Sequence, residues 1–245
     1  MGNALSALEQ MYLPKAKWGM DQIRDLMGQV MIVTGGATGV GKETVMALLT
    51  HNAKVYIATR NEQKANAAIE QLKESTGKEA SFLHLDLADL ASVKKSTQEF
   101  LSDLPSLPQV TTFSPNLDLL PVSFAATESG KHGKARVVTT SSSAVYLVNE
   151  LKYETFREQK ERRAMATYDM YNLSKFDRIL YPAPHGAPTQ LWGGTAPETA
   201  DYDGKFLIPW ARLGKANPAT EDPKPGENLW NWLEEQVKTE IIPVA

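Results

Sequence analysis

The first hundred residues alternate between short apolar runs and longer amphipathic segments. The apolar runs are continuous and only four or five residues long, which is typical of parallel strands covered on both faces. The amphipathic segments carry apolar residues three or four positions apart, which is typical of helices packed on a sheet. The sequence therefore predicts strands at residues 30–33, 55–58 and 81–85, each followed by a helix.

Short polar residues and a glycine mark the boundaries of two of these helices. Asn61 and Asp89 have side chains that can accept a hydrogen bond from the first turn, so both are expected as N-caps. Gly77 can adopt the left-handed conformation that commonly ends a helix. We therefore predict one helix between Asn61 and Gly77 and another that begins at Asp89.

The second half of the chain has weaker patterns. The Pro- and Ser-rich stretch 102–115 is interpreted as a loop, and Pro182 and Pro184 are expected to stop a helix that includes residues 171–180. The other predicted elements are a strand at 136–140, a charged helix near 154–166, a last strand at 205–208, and a closing helix near 227–238 with Trp230, Leu233 and Val237 on one stripe.

The alternation of strands and helices at this spacing predicts right-handed βαβ units. The expected fold is a doubly wound, Rossmann-like α/β sheet, formed by residues 28–245 as a single domain behind an N-terminal extension, residues 1–27. Of the 245 residues 42% are hydrophobic, and such a composition supports a core of this size.

Composition excludes several classes of function. The net charge is −3, whereas nucleic-acid-binding domains usually carry a basic surplus. Cysteine is absent, which excludes disulfides, thiolate nucleophiles and cysteine-based metal centres, and the four histidines lack metal-ligand spacing. The longest nearly uncharged apolar stretch, residues 117–126, is far shorter than the ~20 residues of a membrane span. We expect a cytoplasmic protein that holds no metal.

The N-terminus has no basic segment followed by an apolar one, so a secretory signal is not expected. Gly2 and Ser6 fit the pattern for N-myristoylation at Gly2, a pattern that many ordinary N-termini also match. A single acyl chain would give only weak, reversible membrane contact.

A glycine-rich loop joins the first predicted strand to its helix. Glycine lets the backbone turn sharply and approach a phosphate, and the first turn of a helix offers N–H groups with a partial positive charge. The glycine spacing differs from G-x-G-x-x-G, and Lys42 is followed by Glu43 rather than by the hydroxyl residue of a P-loop. We predict a dinucleotide site that includes Gly35, Thr38, Gly39, Val40, Gly41 and Lys42.

The end of the second strand indicates which dinucleotide binds. An acidic residue there bonds the ribose 2′-OH of NAD(H), whereas a basic residue accommodates the 2′-phosphate of NADP(H). Arg60 follows this strand, and the first carboxylate after the strand is that of Glu62. NADP(H) is therefore favoured over NAD(H). Asp86, after the third strand, is placed to contact the adenine and could equally cap the following turn.

Tyr171 and Lys175 are four residues apart, one turn from each other on one helix face. A nearby ammonium stabilises a phenolate, so this tyrosine can give a proton to a carbonyl oxygen or take one from an alcohol. Lys175 can also hold the nicotinamide ribose, and Ser142, at the end of its strand, can bond the substrate oxygen. A Tyr-x3-Lys pair alone is common, but together with the glycine loop it predicts hydride transfer between a carbonyl and an alcohol.

These motifs together resemble the short-chain dehydrogenase/reductase family, in particular its retinol-dehydrogenase-like and fungal members. The resemblance covers nearly the whole chain, and its specific parts are residues 34–41, Arg60, Asp86-Leu87, 136–142, 171–175 and 204–210. It implies a catalytic set of Ser142, Tyr171 and Lys175, an NADP(H) site that includes Leu87, and an aldehyde, ketone or alcohol as substrate. Ser141 and Ser143 stay open as alternatives to Ser142.

Two segments of the family's pattern lack a counterpart here. In the family, the fourth strand is followed by an Asn-Asn-Ala-Gly stretch and by a long helix with a further catalytic Asn. Here residues 117–120 stand at this place, and only residues 121–135 separate Leu120 from Arg136. A crossover takes at least about 10–12 residues, which leaves room for a short helix only. Alternatively, residues 119–122 are the tail of that helix and the fourth strand is missing. The family's later strand and Pro-Gly loop have no counterpart between residues 176 and 203.

These gaps leave three interpretations of the chain. It is a working NADP(H)-dependent oxidoreductase, a weakened or inactive relic that binds a dinucleotide or a partner protein, or a shortened product that folds poorly. The five tryptophans are expected to pack the outer helices or a homodimer interface.

Overall fold

The computed structural model describes residues 14–103, 110–114, 135–142, 146, 153 and 181–241, without the side chains of residues 90 and 236–241. The chain divides into two compact units. The larger draws on residues 8–142 and 183–214 and holds the sheet, and the smaller draws on residues 1–7, 143–182 and 215–245. Assignment of residues 28–245 to a single domain stays a prediction.

The larger unit is built on a parallel sheet. Its five strands are β1 Val30–Thr34, β2 Lys54–Thr59, β3 Ser81–His84, β4 Val110–Ser114 and β5 Arg136–Thr139. Their spatial order is β3-β2-β1-β4-β5, and every neighbouring pair is parallel. The direction of winding reverses between β1 and β4, which is where doubly wound sheets bind ligands at the carboxyl ends of the strands. The predicted fold class is confirmed.

Both faces of the sheet are covered, as the continuous apolar runs predict. Met31 and Val33 of β1 belong to one buried cluster, whereas Val30 and Ile32 belong to another. Successive side chains of a strand point to opposite faces, so each face of β1 packs into its own layer of the core. The described residues of this unit form the α-helices α1 Gly39–Thr50, α2 Glu62–Thr76, α3 Leu90–Ser102 and α4 Ala187–Thr195.

The predicted helix boundaries are confirmed. The Asn61 side chain accepts a hydrogen bond from the Lys64 N–H at 2.9 Å, and the Asp89 side chain accepts one from the Ala91 N–H at 2.9 Å. Gly77 follows α2 with a φ of +70°, in the left-handed region where a side chain would be strained.

The stretch 102–115 is not a loop throughout, and its prediction was wrong. Its residues 110–114 form β4, which is buried between β1 and β5. The prediction failed because Pro and Ser flank this strand and hydroxyl residues interrupt its apolar pattern, although β-branched threonine suits a strand. The alternative in which the fourth strand is missing is therefore also wrong. Residues 115–134, where the family's Asn-bearing helix would belong, lie outside the described residues.

The region after Tyr181 is mainly helical. Residues 181–203, all of them described, contain no strand, whereas residues 176–180 of the predicted gap lie outside the described residues. The predicted strand at 205–208 is shorter and is not the last, because β6 Leu207–Ile208 pairs antiparallel with β7 Arg212–Leu213 outside the main sheet.

Residues 14–27, part of the predicted extension, belong to the larger unit and contribute to its core. Ile23 and Leu26 are buried in the same cluster as Met31. The Leu26 N–H donates to the carbonyl oxygen of His51 at 2.7 Å, and the Asn52 amide donates to the Asp25 carboxylate at 2.8 Å. This segment is thereby tied to the end of α1.

The smaller unit contains the predicted closing helix, α5 Pro223–Ile241, which is longer at both ends than expected. The Trp232 ring lies 5.7 Å from the Tyr153 ring, and the Tyr146 hydroxyl donates to the Lys215 carbonyl oxygen. Of the predicted stripe, Trp230 and Leu233 are 59% and 44% exposed, so neither side chain is buried.

Arg136 joins the beginning of β5 to the end of α4. Its guanidinium donates to the Ala196 carbonyl oxygen at 2.9 Å and to the Thr199 hydroxyl at 3.1 Å. A cation is favourable at a helix C-terminus, although partial burial lowers the pKa of this guanidinium.

We expect Arg136→Met to lower the free energy of unfolding by about 1–3 kcal/mol, because it removes the charge-assisted hydrogen bonds that join β5 to the end of α4. Urea denaturation measures the loss, with Lys95→Met on the exposed surface of α3 as the matched control. Equal stability of the two variants would contradict this role.

Candidate coenzyme site

The glycine loop joins β1 to α1 at the carboxyl edge of the sheet. Gly35 and Gly39 have φ values of +65° and +54°, and a side-chain carbon added at either position would meet nothing within 4 Å. Gly41 differs, because its added carbon would lie 2.5 Å from the Gly35 carbonyl oxygen. The loop is therefore packed tightly on itself and open on the other side.

The open side of the loop suits a phosphate. The first N–H groups of α1 have no carbonyl partner within the helix, and a helix N-terminus favours negative charge. Thr38 is the N-cap residue and is exposed, as is Gly39, and Val40 is half-buried. Exposed backbone at a helix N-terminus is a common phosphate-binding arrangement, and contact of this loop with a pyrophosphate stays a prediction.

Arg60 lies beside this loop at the end of β2. The Gly35 N–H donates to the carbonyl oxygen of Ala58 at 3.0 Å, which fixes the loop against the strand that leads into Arg60. The Arg60 side chain is exposed. Recognition of the ribose or its 2′-phosphate by this side chain stays a prediction.

Three other predicted coenzyme residues have contacts of their own. The Lys42 ammonium donates to the Gln71 side chain of α2. The Asp86 carboxylate accepts a hydrogen bond from the Ala88 N–H at 3.0 Å, so it caps the turn, one of the two roles that the sequence left open. Leu87 is half-buried against the cluster that contains Val30. Contact of these residues with a coenzyme stays a prediction.

Of the predicted catalytic residues the structure describes Ser142 alone. It is exposed and lies just beyond the carboxyl end of β5, the edge of the sheet that also carries the glycine loop. Tyr171 and Lys175 lie outside the described residues. The sequence analysis missed three polar residues near this edge, Thr44, Thr140 and Gln190, which are linked by hydrogen bonds. No motif signals them, because Gln190 is 146 residues from Thr44.

The described residues lack two features. They contain no group of three or more potential metal ligands among His, Cys, Asp and Glu. They also contain no helix with the length and hydropathy that crossing a bilayer requires.

Comparison with known proteins identifies relatives over nearly the whole chain. The family model described as short chain dehydrogenase matches residues 29–111. Two short-chain dehydrogenases/reductases of Armillaria gallica are 41% and 40% identical over 310 aligned positions, which cover 97% of this chain and 99% of each relative. A short-chain dehydrogenase/reductase of Phomopsis amygdali is 29% identical, with 88% of this chain and 91% of the relative covered.

The alignments also measure what this chain lacks. An alignment of 310 positions against a chain of 245 residues leaves at least 65 positions at which the Armillaria proteins have a residue and this chain has none. The total length of these gaps agrees with the expectation that this chain lacks segments of the family's pattern. Motifs, strand order and full-length relatives agree that this chain belongs to the short-chain dehydrogenase/reductase family, a family of oxidoreductases that bind a nicotinamide dinucleotide.

Proposed function

We propose that this protein binds NADP(H) on the glycine loop and interconverts a carbonyl compound and its alcohol. The observation that carries the proposal is the shape of the loop. Gly41 leaves no room for a side chain beside the Gly35 carbonyl oxygen, while the backbone at Gly35 and Gly39 is open to a ligand. A turn packed so closely below a helix N-terminus suits a pyrophosphate that approaches the backbone.

The preference for NADP(H) rests on Arg60. It follows β2 directly, it is exposed, and an acidic residue appears only at Glu62, the first residue of α2. A guanidinium can bond a 2′-phosphate with two parallel hydrogen bonds, whereas the 2′-OH of NAD(H) is normally bonded by a carboxylate at this place.

The proposed chemistry uses three side chains of this chain. When bound, the dinucleotide would supply a hydride to the substrate carbon or accept one from it. In reduction Tyr171 donates a proton to the carbonyl oxygen, and in oxidation it takes the hydroxyl proton. Lys175 stabilises the phenolate and holds the ribose. Ser142 donates a hydrogen bond to the substrate oxygen, which orients the carbon for transfer.

The proposal is tested by NADPH titration and by an NADPH-consumption screen against aldehydes and ketones. Saturable binding with aldehyde-dependent consumption is the expected result. Binding without turnover would favour the second candidate, a relic that binds a dinucleotide or a partner protein, which the gap of at least 65 aligned positions favours. Absence of a melting transition, with or without NADPH, would indicate a shortened product that folds poorly.

We expect Arg60→Ala to raise the Kd for NADPH by about 10–100-fold, because it removes charge-assisted hydrogen bonds to the 2′-phosphate. The Kd for NADH should change little, since NADH has no phosphate there. Fluorescence titration with both dinucleotides measures the difference, and Lys64→Ala, which removes an exposed cation from α2, is the control. An equal effect on NADPH and NADH would contradict recognition of the 2′-phosphate.

The substrate is proposed to be a small aldehyde, ketone or alcohol, and the active form a homodimer in the cytoplasm. N-myristoylation at Gly2 stays a prediction that intact-mass measurement on protein from a eukaryotic host would decide.

A further inference from the structure

Gln190 is a buried polar side chain that no motif of the family explains. It lies on α4, it is 9% exposed, and it sits between α1 and the end of β5. Its side-chain oxygen accepts a hydrogen bond from the Thr140 hydroxyl at 2.8 Å. Its side-chain nitrogen donates to the Thr44 hydroxyl of α1. The amide thus bridges two elements that the chain places far apart.

The bridge continues into the first turn of α1. The Thr44 hydroxyl donates to the carbonyl oxygen of Val40 at 2.8 Å. The hydrogen bonds run in one direction, from Thr140 to Gln190, from Gln190 to Thr44 and from Thr44 to Val40. Only one orientation of the Gln190 amide places its oxygen at Thr140 and its nitrogen at Thr44. This chain of bonds connects the strand end that carries Ser142 to a residue of the glycine loop.

A second contact holds α4 at the same place. A side-chain carbon added at Gly186, just before α4, would lie 2.6 Å from a methyl carbon of Val40. The beginning of α4 is thus packed against the glycine loop, and Gln190 lies one turn further along. Closely packed elements transmit small displacements.

We propose that Gln190 is a positioning residue, which sets the end of β5, and with it Ser142, relative to the coenzyme-binding first turn of α1. The proposal rests on the proposed function, since Ser142 has a role only if a substrate oxygen is held there. Transfer of a hydride and a proton needs the reacting groups aligned, and a misplacement of about 1 Å can cost ~100-fold in rate. Gln190 touches neither substrate nor coenzyme in this role.

The bridge can be removed with little damage to the fold. Gln190→Met keeps the length and volume of the side chain and removes both hydrogen bonds. The Thr44 hydroxyl keeps its bond to Val40, and Thr140 is exposed, so water can replace the lost partner. The melting temperature should therefore fall by only a few degrees. The Gln190→Glu variant should be less stable than Gln190→Met, because it buries a charge. It also places a carboxylate oxygen, an acceptor, where the Gln190 nitrogen donates to the Thr44 hydroxyl.

The first readout is hydrogen exchange with 2′-phospho-ADP-ribose, which carries the pyrophosphate and the 2′-phosphate but no nicotinamide. In the wild-type protein, occupation of the glycine loop should slow exchange at residues 139–142 as well as in the loop. In Gln190→Met the loop should still be protected, and the protection at residues 139–142 should be lost. Gln98→Met, the same substitution at an exposed position of α3, should behave as wild type.

The second readout is the split between kcat and coenzyme affinity. Gln190→Met should lower kcat about 10-fold or more and leave the Kd for NADPH within about threefold. Thr140→Val should have a similar effect, and combining it with Gln190→Met should add little, because both remove one bridge.

Two outcomes would overturn the proposal, and they are distinguishable. If the wild-type protein turns over and Gln190→Met keeps both its kcat and the ligand-induced protection at residues 139–142, the positioning role is wrong and the proposed function stands. If the wild-type protein binds NADPH without turnover for any carbonyl substrate, the proposed reaction and the positioning role fail together.

Discussion

Tyr171→Phe should lower kcat for carbonyl reduction by about 10²–10⁴-fold, because it removes the group that gives the substrate oxygen its proton. The Kd for NADPH should stay within a few-fold of the wild-type value, since the pyrophosphate and 2′-phosphate contacts belong to other residues. Stopped-flow NADPH oxidation measures kcat, and fluorescence titration measures the Kd.

The matched control is Tyr168→Phe, which removes the same atom three residues earlier in the sequence. It should turn over at nearly the wild-type rate. If Tyr171→Phe is as active as Tyr168→Phe, the phenol is not the acid, and the assignment of Tyr171 and Lys175 as a catalytic pair is wrong.

Gly41→Ala should raise the Kd for NADPH by about 10–100-fold, since the added carbon would lie 2.5 Å from the Gly35 carbonyl oxygen. Both atoms belong to the backbone framework of the loop, so neither can rotate away. The loop must open, and its N–H groups then no longer converge on one phosphate. Titration with NADPH and with 2′-phospho-ADP-ribose measures the loss, which should be the same for both ligands.

Gly226→Ala is the matched control for this substitution. Gly226 lies in α5, and a carbon added there would meet nothing within 4 Å. Alanine favours a helix by about 0.5–1 kcal/mol over glycine, so this variant should melt no lower than wild type and bind NADPH normally. Equal coenzyme affinity of the two variants would show that the glycine loop is not the phosphate site.

The two predictions test different halves of the proposed enzyme. Gly41 belongs to the part of the fold that the structure describes in full, and its effect concerns binding. Tyr171 belongs to the chemistry, and its effect concerns turnover. If Gly41→Ala weakens NADPH binding but the wild-type protein has no turnover, the protein is a dinucleotide-binding relic.

The local part of the fold could be predicted from the sequence because its signals are local. The run at residues 30–33 is apolar on both faces, and Asn61, Gly77 and Asp89 each act on a backbone group within a few residues. Such patterns depend on the chain's own geometry and not on distant partners. The glycine loop belongs to the same class, since strand, turn and helix follow one another directly.

β4 could not be predicted in this way. Its residues Thr111, Thr112 and Ser114 are polar by composition, yet all are buried. A strand in the middle of a sheet receives backbone partners from both sides, so its place is decided by β1 and β5 and not by its own pattern. The same reason explains why the stretch around it was interpreted as a loop.

The sequence by itself determined the family, the fold class and the chemistry to look for, because motifs within a few residues of one another carry that information. The tertiary structure alone decided that β4 is present, that Gly41 has no room for a side chain, and that Gln190 joins α1 to the end of β5. Each of these depends on atoms brought together from distant parts of the chain. Such tertiary contacts cannot be predicted from local sequence, since several residue types of suitable size and polarity can fill the same packed position.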